Sequence, residues 1–382
     1  MNFSFEQGPI RPPSEAQSLL IRVTRNCPWN KCAFCHIYRG TKFELRSVDD
    51  VKADIQNARD MADRIREISW EVGHEGLVTR SVIDRIYMED AFDSGSFLQV
   101  AAWLYSGGES IFLQDANSLI LKTEDLVEIL TFLRETFPDA KRITSYARSH
   151  TARRKSLEEL RMLREAGLTR IHIGLESGSD SVLKFVRKGS TAADHIEGGQ
   201  KVVESGISLS EYIIPGLGGD RWSRENAVET ARVINEINPD YVRLRSLHVR
   251  RDTELYRMMN EGEFNPLGDE DVVREIRLFI ENLDGVTSRI VSDHILNLLE
   301  ELNGTLPGEK EKLLAIIDRF FAMPEMDRLI YRLGRRKGIY RNLDDLADAG
   351  TYRTLNSVLA EYGVKNTENL NRYLRRIMHH YI

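Results

Sequence analysis

The strongest constraint on the fold is an alternation of short apolar strands with amphipathic helices along residues 19–247. The predicted strands occupy 19–24, 111–113, 142–146, 170–175, 207–214 and 241–247. From the second strand onwards they start roughly 28 to 37 residues apart, which leaves room for a helix between successive strands. This order predicts repeated βαβ units and a parallel sheet. We therefore expect an α/β fold, either an open doubly wound sheet or a partial (β/α)6 TIM-like barrel.

Capping residues predict where the helices begin and end. The predicted N-caps are Ser47, Thr123, Ser156, Thr191 and Ser223. Glycines 107–108, 167 and 206 follow apolar stripes and predict the ends of three helices. The periodic pattern stops near residue 252, which predicts two parts. Residues 1–252 form the predicted core barrel, with an insertion at 70–108. Residues 253–382 form a mostly helical extension that includes a predicted helix at 295–302 and a further strand at 287–291.

Composition limits the classes of protein that the chain can represent. Its hydrophobic fraction of 41% and charged fraction of 29% are ordinary for a folded globular chain. The net charge is −6 and no long basic run occurs, which disfavours a nucleic-acid partner. No apolar run reaches the roughly 18 residues of a membrane span, and residues 1–13 lack the apolar segment of a signal peptide. Clustered cysteines without a disulfide framework fit a reducing compartment, so we expect a cytoplasmic protein.

All three cysteines of the chain, Cys27, Cys32 and Cys35, lie within one short segment. This Cys-x4-Cys-x2-Cys pattern is compatible with zinc, with an iron–sulfur cluster or with unligated thiols. Structural zinc normally takes four protein ligands, and the only nearby fourth donor, His36, is adjacent to Cys35 and poorly placed for the same ion. A [4Fe–4S] cluster held by three thiolates would leave one iron open. Both metals remain open on this pattern alone.

Further candidate ligands follow the predicted strands at their carboxyl ends, where βα folds build their binding sites. They are the cysteine segment after the first strand, Asp115 with Asn117, Glu176, and Gly216. Because the carboxyl ends of parallel strands share one edge of a sheet, these four positions predict a single site.

The cysteine segment, with Phe34 immediately before the third cysteine, resembles the radical S-adenosylmethionine (SAM) superfamily. The resemblance covers roughly residues 15–250 and is strengthened by the segment 171–179, Ile-His-Ile-Gly-Leu-Glu-Ser-Gly-Ser. It is similar to the branch of coproporphyrinogen oxidases, Elongator-type tRNA modifiers and methylthiotransferases. One departure is the first gap, because four residues separate Cys27 from Cys32 where the usual pattern has three.

The resemblance implies the partial (β/α)6 barrel, a single [4Fe–4S] cluster on the three cysteines, and SAM as cofactor. It implies that the open iron binds the methionine amine and carboxylate, and that one electron cleaves SAM to methionine and a 5′-deoxyadenosyl radical. That radical abstracts hydrogen from a substrate, which we expect to be a small molecule. An electron donor such as flavodoxin or ferredoxin is also implied.

The family's Gly-Gly-Glu motif, which holds the methionine ammonium, has no obvious match after the second strand. Gly107-Gly108-Glu109 precedes that strand, at its wrong end, so the resemblance favours Gln114, Asp115 and Asn117 instead.

Other cofactor-binding roles are carried over by position in the βα series. Glu176 matches the position that contacts the ribose or the methionine, and Arg187 or Lys188 the cation for the methionine carboxylate. Phe34 and Gly216 are expected beside the adenine. Ser145, Arg148 and Glu211 are further candidate contacts, and no residue of this chain is assigned a catalytic role.

Candidate residues facing the substrate are His248, Arg250, Arg251 and residues 292–294. With no other cysteine, auxiliary clusters are not expected. The branch leaves tetrapyrrole oxidation and tRNA modification as alternatives, the second weakened because no acetyltransferase-like segment follows the barrel. The alternative from another class is a non-catalytic iron–sulfur or zinc carrier.

Overall fold

The computed structural model of the protein describes residues 4–88 and 94–378. The strands are β1 (Leu19–Arg22), β2 (Thr24–Arg25), β3 (Glu44–Leu45), β4 (Ser110–Gln114), β5 (Arg142–Ala147), β6 (Arg170–Glu176), β7 (Ser208–Ile213), β8 (Tyr241–Leu244), β9 (Arg289–Val291) and β10 (Gly304–Thr305). The helices are α1 (Val48–Glu71), α2 (Arg80–Tyr87), α3 (Ser94–Tyr105), α4 (Thr123–Thr136), α5 (Ser149–Arg154), α6 (Leu157–Ala166), α7 (Asp180–Phe185), α8 (Ala192–Glu204), α9 (Gly219–Ile237), α10 (Glu254–Asn260), α11 (Asp269–Glu281), α12 (Lys310–Ala322), α13 (Glu325–Arg336), α14 (Ala349–Glu361) and α15 (Thr367–Met378). Short 3₁₀ helices lie at Pro13–Glu15, Ser118–Ile120 and Leu343–Ala347.

The main sheet has eight strands in the order β1-β4-β5-β6-β7-β8-β9-β10. The pairs β1–β4, β4–β5, β5–β6, β7–β8 and β8–β9 are parallel, and β10 is antiparallel to β9. β2 and β3 form a separate antiparallel ribbon. The predicted α/β class is confirmed, as are the six parallel strands and the helical C-terminal segment. The additional strand predicted at 287–291 is β9.

The chain divides into two compact units. Unit 1 contains residues 1–30, 37–174 and 197–209, and unit 2 contains residues 31–36, 175–196 and 210–382. The predicted domain boundary at residue 252 stays a prediction. The predicted insertion at 70–108 contains α2 and α3, and its residues 89–93 lie outside the described residues.

The core of unit 1 lies between the apolar faces of its strands and the helices α1, α4 and α6. Leu20 on β1 is in register with Phe112 on β4, and Phe112 with Thr144 on β5. α1 begins as predicted, because the Ser47 side chain accepts a hydrogen bond from the backbone N–H of Asp50. These strands direct their carboxyl ends into the loops that carry the predicted site residues of this unit.

A buried carboxylate ties the segment before β1 to the next strands. Glu15 is fully buried, accepts hydrogen bonds from Ser18 (2.6 Å) and Arg142 (3.0 Å), and lies 3.3 Å from Nε2 of His172. Burial raises the pKa of Glu15, but His172 and Arg142 outweigh it and hold the pKa below its usual value. The chain therefore enters β1 from a fixed position.

Unit 2 contains the neighbouring strands β8 and β9 and most of β7, and its helices α9 and α11 pack against each other. Val242 on β8 is in register with Glu211 on β7 and with Ile290 on β9. In the C-terminal helices, the fully buried Arg332 of α13 forms ion pairs with Asp269 (3.3 Å) and Glu270 (3.6 Å) of α11. Paired in this way, a buried guanidinium is tolerated in the interior.

One predicted helix cap, Thr123, is wrong, and another, Ser223, lies beside a kink; both hydroxyl groups donate to carboxylates. Thr123 is the first residue of α4 rather than its cap, and its hydroxyl donates to Glu159. α9 spans Gly219–Ile237 and has a kink at Trp222, whose backbone is not helical, so its long part starts beside the predicted cap Ser223. The Ser223 hydroxyl donates to Glu275. The capping box of Ser156 on α6 is confirmed.

The helix predicted at 295–302 is also wrong, since this segment consists of turns. The Asn297 side chain accepts hydrogen bonds from Ser246 and donates to the Leu244 carbonyl at 3.0 Å. The Arg335 guanidinium donates hydrogen bonds to the carbonyls of Asn297 and Leu298. These contacts satisfy the backbone of the segment without a helical hydrogen-bond pattern.

Candidate active site

The cysteine segment leaves β2 through two residues with left-handed backbone conformations. Asn26 has φ of 68° and Asn30 has φ of 48°, a region that asparagine enters more readily than most residues. Cys27 belongs to unit 1, and Cys32 and Cys35 belong to unit 2. The backbone N–H of Cys35 donates to the carbonyl of Cys32 at 3.2 Å, which makes a tight turn between them. All three side chains are partly exposed and none forms a disulfide within the described part of the chain.

Unit 2 holds the second half of this segment through Ala33 and Phe34. The N–H of Ala33 donates to the Val186 carbonyl (2.8 Å), and the Ala33 carbonyl accepts from the N–H of Leu255 (2.8 Å). Phe34 is half-buried against apolar clusters that include Val182, Val186, Leu255 and Phe264. The backbone between Cys32 and Cys35 is therefore fixed by the ends of α7 and α10.

Unit 1 holds the first half through the buried carboxylate of Asp115. Its Oδ2 accepts hydrogen bonds from the guanidinium of Arg22 (2.7 and 3.1 Å) and from the N–H of Asn26 (2.9 Å). Its Oδ1 accepts from the Tyr38 hydroxyl. Burial together with Asp115 raises the pKa of Tyr38, so the hydroxyl remains a donor. Asp115 thus fixes the residue that precedes Cys27, and its predicted role as an acceptor for the methionine ammonium stays a prediction.

The other predicted residues of unit 1 also have partners within the protein. Gln114 is bound to the N-terminal segment, accepting from the N–H of Gly8 at 2.8 Å. The Asn117 side chain donates to Thr151 (2.9 Å) and accepts from the N–H of Arg148 (3.0 Å). Ser145 is buried and donates to the next residue's carbonyl. Asn117 and Arg148 are thereby brought together, as the strand-end argument expects.

Asn117 and Arg148 line a cleft of about 380 Å³ in unit 1. Its wall includes Pro28, the residue after Cys27, and the Arg148 guanidinium lies 5.1 Å from the ring centre of Trp29. The remaining charged lining residues are His150, Arg154, Lys155 and Glu159. Within a chain of net charge −6, this cleft concentrates positive charge beside the start of the cysteine segment.

In unit 2, Glu176, Lys188 and Glu211 form a second group of predicted residues. The Lys188 ammonium donates to Glu176 at 2.8 Å, and both side chains are largely buried. Glu211 on β7 is completely buried, and neither of its oxygens has a hydrogen-bond partner among the described residues. Burial raises the pKa of Glu211 well above its usual value, because Lys188 offsets the desolvation only in part and Glu176 adds to it.

Gly216 and Arg187 have different surroundings. Gly216 has φ of 87°, and its N–H donates to the buried Glu275 at 2.8 Å, so glycine is required by the backbone itself. Glu275 also accepts hydrogen bonds from Ser223 and Asn226. It was not predicted from the sequence, because no local pattern distinguishes a helix carboxylate that binds a loop. The Arg187 side chain is 56% exposed, with its guanidinium 3.5 Å from Glu254.

Comparison with known proteins identifies the family. Residues 21–231, more than half of the chain, match the radical SAM superfamily, and the chain belongs to it. It is therefore a radical SAM enzyme. Membership of this superfamily implies that the enzyme binds an iron–sulfur cluster and SAM, uses a reductant and acts on a substrate. Among the described residues, no helix has the length and apolar character to cross a membrane.

Similar proteins of known sequence include two tRNA uridine(34) acetyltransferases. That of Methanocaldococcus infernus is 29% identical over 122 residues, which are 32% of this chain and 23% of that protein. That of Methanocaldococcus jannaschii is 28% identical over 120 residues, which are 31% of this chain and 22% of that protein. The chain thus spans less than a quarter of either relative.

Similar solved structures include coproporphyrinogen III oxidase of Escherichia coli, with a TM-score of 0.44 and 17% identity. The match covers 69% of this chain and 52% of that one. The archaeal Elp3 of Methanocaldococcus infernus has a TM-score of 0.41 and 19% identity, covering 59% of this chain and 58% of that one.

The donor set fits the cluster that the family requires. Cysteine thiolates are the usual ligands of iron–sulfur clusters, and the segment supplies three that are partly exposed. In residues 4–88 and 94–378, no three His, Cys, Asp or Glu side chains are grouped around a position for one metal ion. A cluster does not require such a grouping, because each thiolate binds a different iron.

The surroundings of Glu211 predict a pH-dependent stability. Folding raises the pKa of Glu211, so above about pH 4.5 the folded chain keeps a proton that the unfolded chain releases. The free energy of unfolding therefore falls as the pH rises above about 4.5. Glu211→Gln, with a neutral side chain of the same size, should raise the urea midpoint at about pH 8 and lose that advantage near pH 4. The control Glu204→Gln, at an exposed position, should change neither. Equal pH profiles of Glu211→Gln and the parent would contradict the assignment.

Proposed function

We propose that Cys27, Cys32 and Cys35 hold a single [4Fe–4S] cluster whose open iron binds SAM, and that the enzyme acts on a small molecule. When bound, the two cofactors supply a 5′-deoxyadenosyl radical that removes a hydrogen atom from the substrate. The observation that carries the proposal is the anchoring of both ends of the cysteine segment. Asp115 binds the N–H of Asn26 (2.9 Å), and Ala33 is bound on both sides by backbone groups (2.8 Å each).

The chain's own residues would hold and orient SAM. In this proposal, Lys188 binds the methionine carboxylate, and Glu176 accepts from the ribose or the methionine amine. The two lie 2.8 Å apart, so a ligand that meets one reaches the other. Glu211 is a third group beside them, and within residues 4–88 and 94–378 its carboxylate has no hydrogen-bond partner. Phe34 and the backbone of Gly216 would pack against the adenine, with Arg187 as a peripheral cation.

In unit 1, we propose that Gln114, Asp115 and Asn117 form the methionine-facing loop, with Ser145 and Arg148 as neighbouring contacts. Asp115 would act there mainly by fixing Asn26, because its oxygens already accept hydrogen bonds from Arg22, Asn26 and Tyr38. The cleft beside Pro28 carries excess positive charge. An acidic electron-transfer protein of the flavodoxin or ferredoxin type is the partner that this charge would attract.

Two second candidates follow from the similar proteins. The tRNA relatives favour action on RNA, and the coproporphyrinogen oxidase favours a tetrapyrrole substrate. The net charge of −6 and the absence of a long basic run in the sequence argue against RNA, since phosphate binding requires many cations. A small-molecule substrate in a reducing, cytoplasmic setting is therefore preferred.

Replacing any one cysteine should abolish the cluster. After anaerobic reconstitution, the parent should contain about four irons per chain and form 5′-deoxyadenosine from SAM with dithionite. Cys27→Ala, Cys32→Ala and Cys35→Ala should each lose most of the iron and all of the 5′-deoxyadenosine. His36→Ala, the matched change beside Cys35, should retain both. Zinc in place of iron, or a cluster-loaded parent that leaves SAM intact, would refute the proposal in favour of a carrier.

Removing the Lys188 ammonium should weaken SAM binding by at least about tenfold, roughly 1.4 kcal/mol, because a charge-assisted hydrogen bond is lost. The measurement is equilibrium dialysis of labelled SAM against reconstituted Lys188→Met. Lys184→Met is the control, since Lys184 is exposed on α7, four residues before Lys188. Equal affinities of the two variants would place SAM away from this lysine.

A further inference from the structure

Residues 4–10 carry one carboxylate, Glu6, which lies beside the start of the cysteine segment in unit 1. The N–H of Glu6 donates to the Asp54 side chain of α1 at 3.2 Å. Two residues further on, Gly8 is bound through both of its backbone groups to the buried Gln114 side chain, at 2.8 and 3.3 Å. These contacts with two different elements fix the position of Glu6.

Three arginines converge on the Glu6 carboxylate. Arg25 binds both of its oxygens, through Nε at 2.8 Å and through Nη2 at 2.7 Å. Arg22 donates to Oε1 at 2.9 Å, and the Nε of Arg46 lies 3.4 Å from Oε2. The pKa of Glu6 is lowered, with the hydrogen bond from Arg25 as the largest cause, so the carboxylate is ionised near neutral pH.

Two of these arginines connect Glu6 to the residues that lead into Cys27. The Nη2 of Arg22 donates to the Oδ1 of Asn26 at 3.4 Å, so a single guanidinium separates Glu6 from Asn26. Arg25 precedes Cys27 by two residues, which limits the distance between their Cα atoms to about 7.6 Å. The charge on Glu6 is therefore coupled to the immediate surroundings of the first cysteine.

The ion pairs around Glu6 form a balanced network. Its cations are Arg22, Arg25, Arg46 and Lys42, and its carboxylates are Glu6, Glu44, Asp54 and Asp115. With these carboxylates ionised, the network carries no net charge. Removing the charge of Glu6 alone would leave one positive charge in excess at the entrance to Cys27.

The charge near an iron–sulfur cluster contributes to its reduction potential, together with hydrogen bonds and solvent exposure. Reduction adds one negative charge to a cluster, so a nearby carboxylate disfavours reduction and a nearby guanidinium favours it. We propose that Glu6 is a positioning residue that acts through Arg22 and Arg25 and lowers the reduction potential of the cluster bound by Cys27.

A lower potential affects the two electron-transfer steps in opposite directions. One electron passes from the external one-electron donor to the cluster, and it then passes from the cluster to SAM. There it breaks the sulfonium C–S bond and gives methionine and the 5′-deoxyadenosyl radical. Glu6 makes the first transfer less favourable and the second more favourable. The proposal rests on the proposed function, since it concerns the cluster assigned there to the three cysteines.

Redox titration of the reconstituted full chain without SAM, followed by visible and electron paramagnetic resonance spectra, measures this effect. Glu6→Gln has nearly the same size but no charge, and it should raise the equilibrium constant for one-electron reduction at least about threefold, or roughly 28 mV. Arg25→Gln removes the opposite charge and should lower that constant at least about threefold. In this second variant Glu6 keeps Arg22 and Arg46 as partners.

Two further variants separate the charge from a loosening of residues 4–10. Glu6→Asp keeps the charge, so the equilibrium constant should stay within about 1.5-fold of the parent even where the urea midpoint falls. Glu204→Gln removes an exposed carboxylate that is not part of the network and should also leave the constant unchanged. Loosening of the segment would instead shift Glu6→Gln and Arg25→Gln in the same direction.

Shifts of the same sign in Glu6→Gln and Arg25→Gln would overturn this role of Glu6. Equal potentials of Glu6→Gln and Glu204→Gln would do the same. In both cases the variants keep about four irons per chain and the parent still forms 5′-deoxyadenosine, so the proposed function stands. A parent that binds no iron would overturn both proposals, which makes the two failures distinguishable.

Discussion

The hydrogen bonds of the buried Asp115 carboxylate determine how the chain enters its cysteine segment. An isolated carboxylate in the interior is strongly unfavourable, and Asp115 is stable there because Arg22, the Asn26 N–H and the Tyr38 hydroxyl surround it. Removing one partner of such a buried group typically destabilises a protein by about 3–5 kcal/mol. The three partners come from the end of β1, from the residue before Cys27, and from the chain after the segment. The position of the first cysteine therefore depends on a residue that follows β4.

Unit 2 holds the second half of the cysteine segment, residues 31–36, by backbone hydrogen bonds and apolar packing. Backbone hydrogen bonds from Ala33 to Val186 and Leu255 fix its path, and apolar packing around Phe34 fixes its orientation. Lys188 donates a hydrogen bond to Glu176, whereas the buried carboxylate of Glu211 has no hydrogen-bond partner in the part of the chain that the structure describes. A buried polar group that lacks a partner in a native structure requires an explanation, and the SAM contact that we propose for Glu211 would supply one.

Much of the fold could be predicted from the sequence, because β-branched segments and capping residues report local structure. The six parallel strands, the Ser156 capping box and β9 follow from such local signals. For the candidate site, position at strand ends indicated that Asn117 lies close to Arg148, and the structure also brings Glu176 to Lys188. The binding roles of these residues stay predictions. The hydrogen-bond partners of Asp115 and the role of Glu275 as an anchor for the loop at Gly216 could not be predicted, because they depend on contacts between residues far apart in sequence. One signal was available for Arg22, since a charged residue that ends the apolar run Leu19-Leu20-Ile21 requires a buried counter-charge. The turns at 295–302 were missed because the Asn297 side chain, not local propensity, decides their structure.

The central claim is that three thiolates leave one iron open and that SAM fills the open position. The most direct measurement is electron–nuclear double resonance of the reduced cluster with SAM labelled with ¹⁵N at the methionine amine. The account predicts a hyperfine coupling from that nitrogen to the cluster in the parent, and its loss when unlabelled SAM replaces the labelled cofactor. A reduced cluster that binds SAM but shows no coupling to the labelled nitrogen would contradict it.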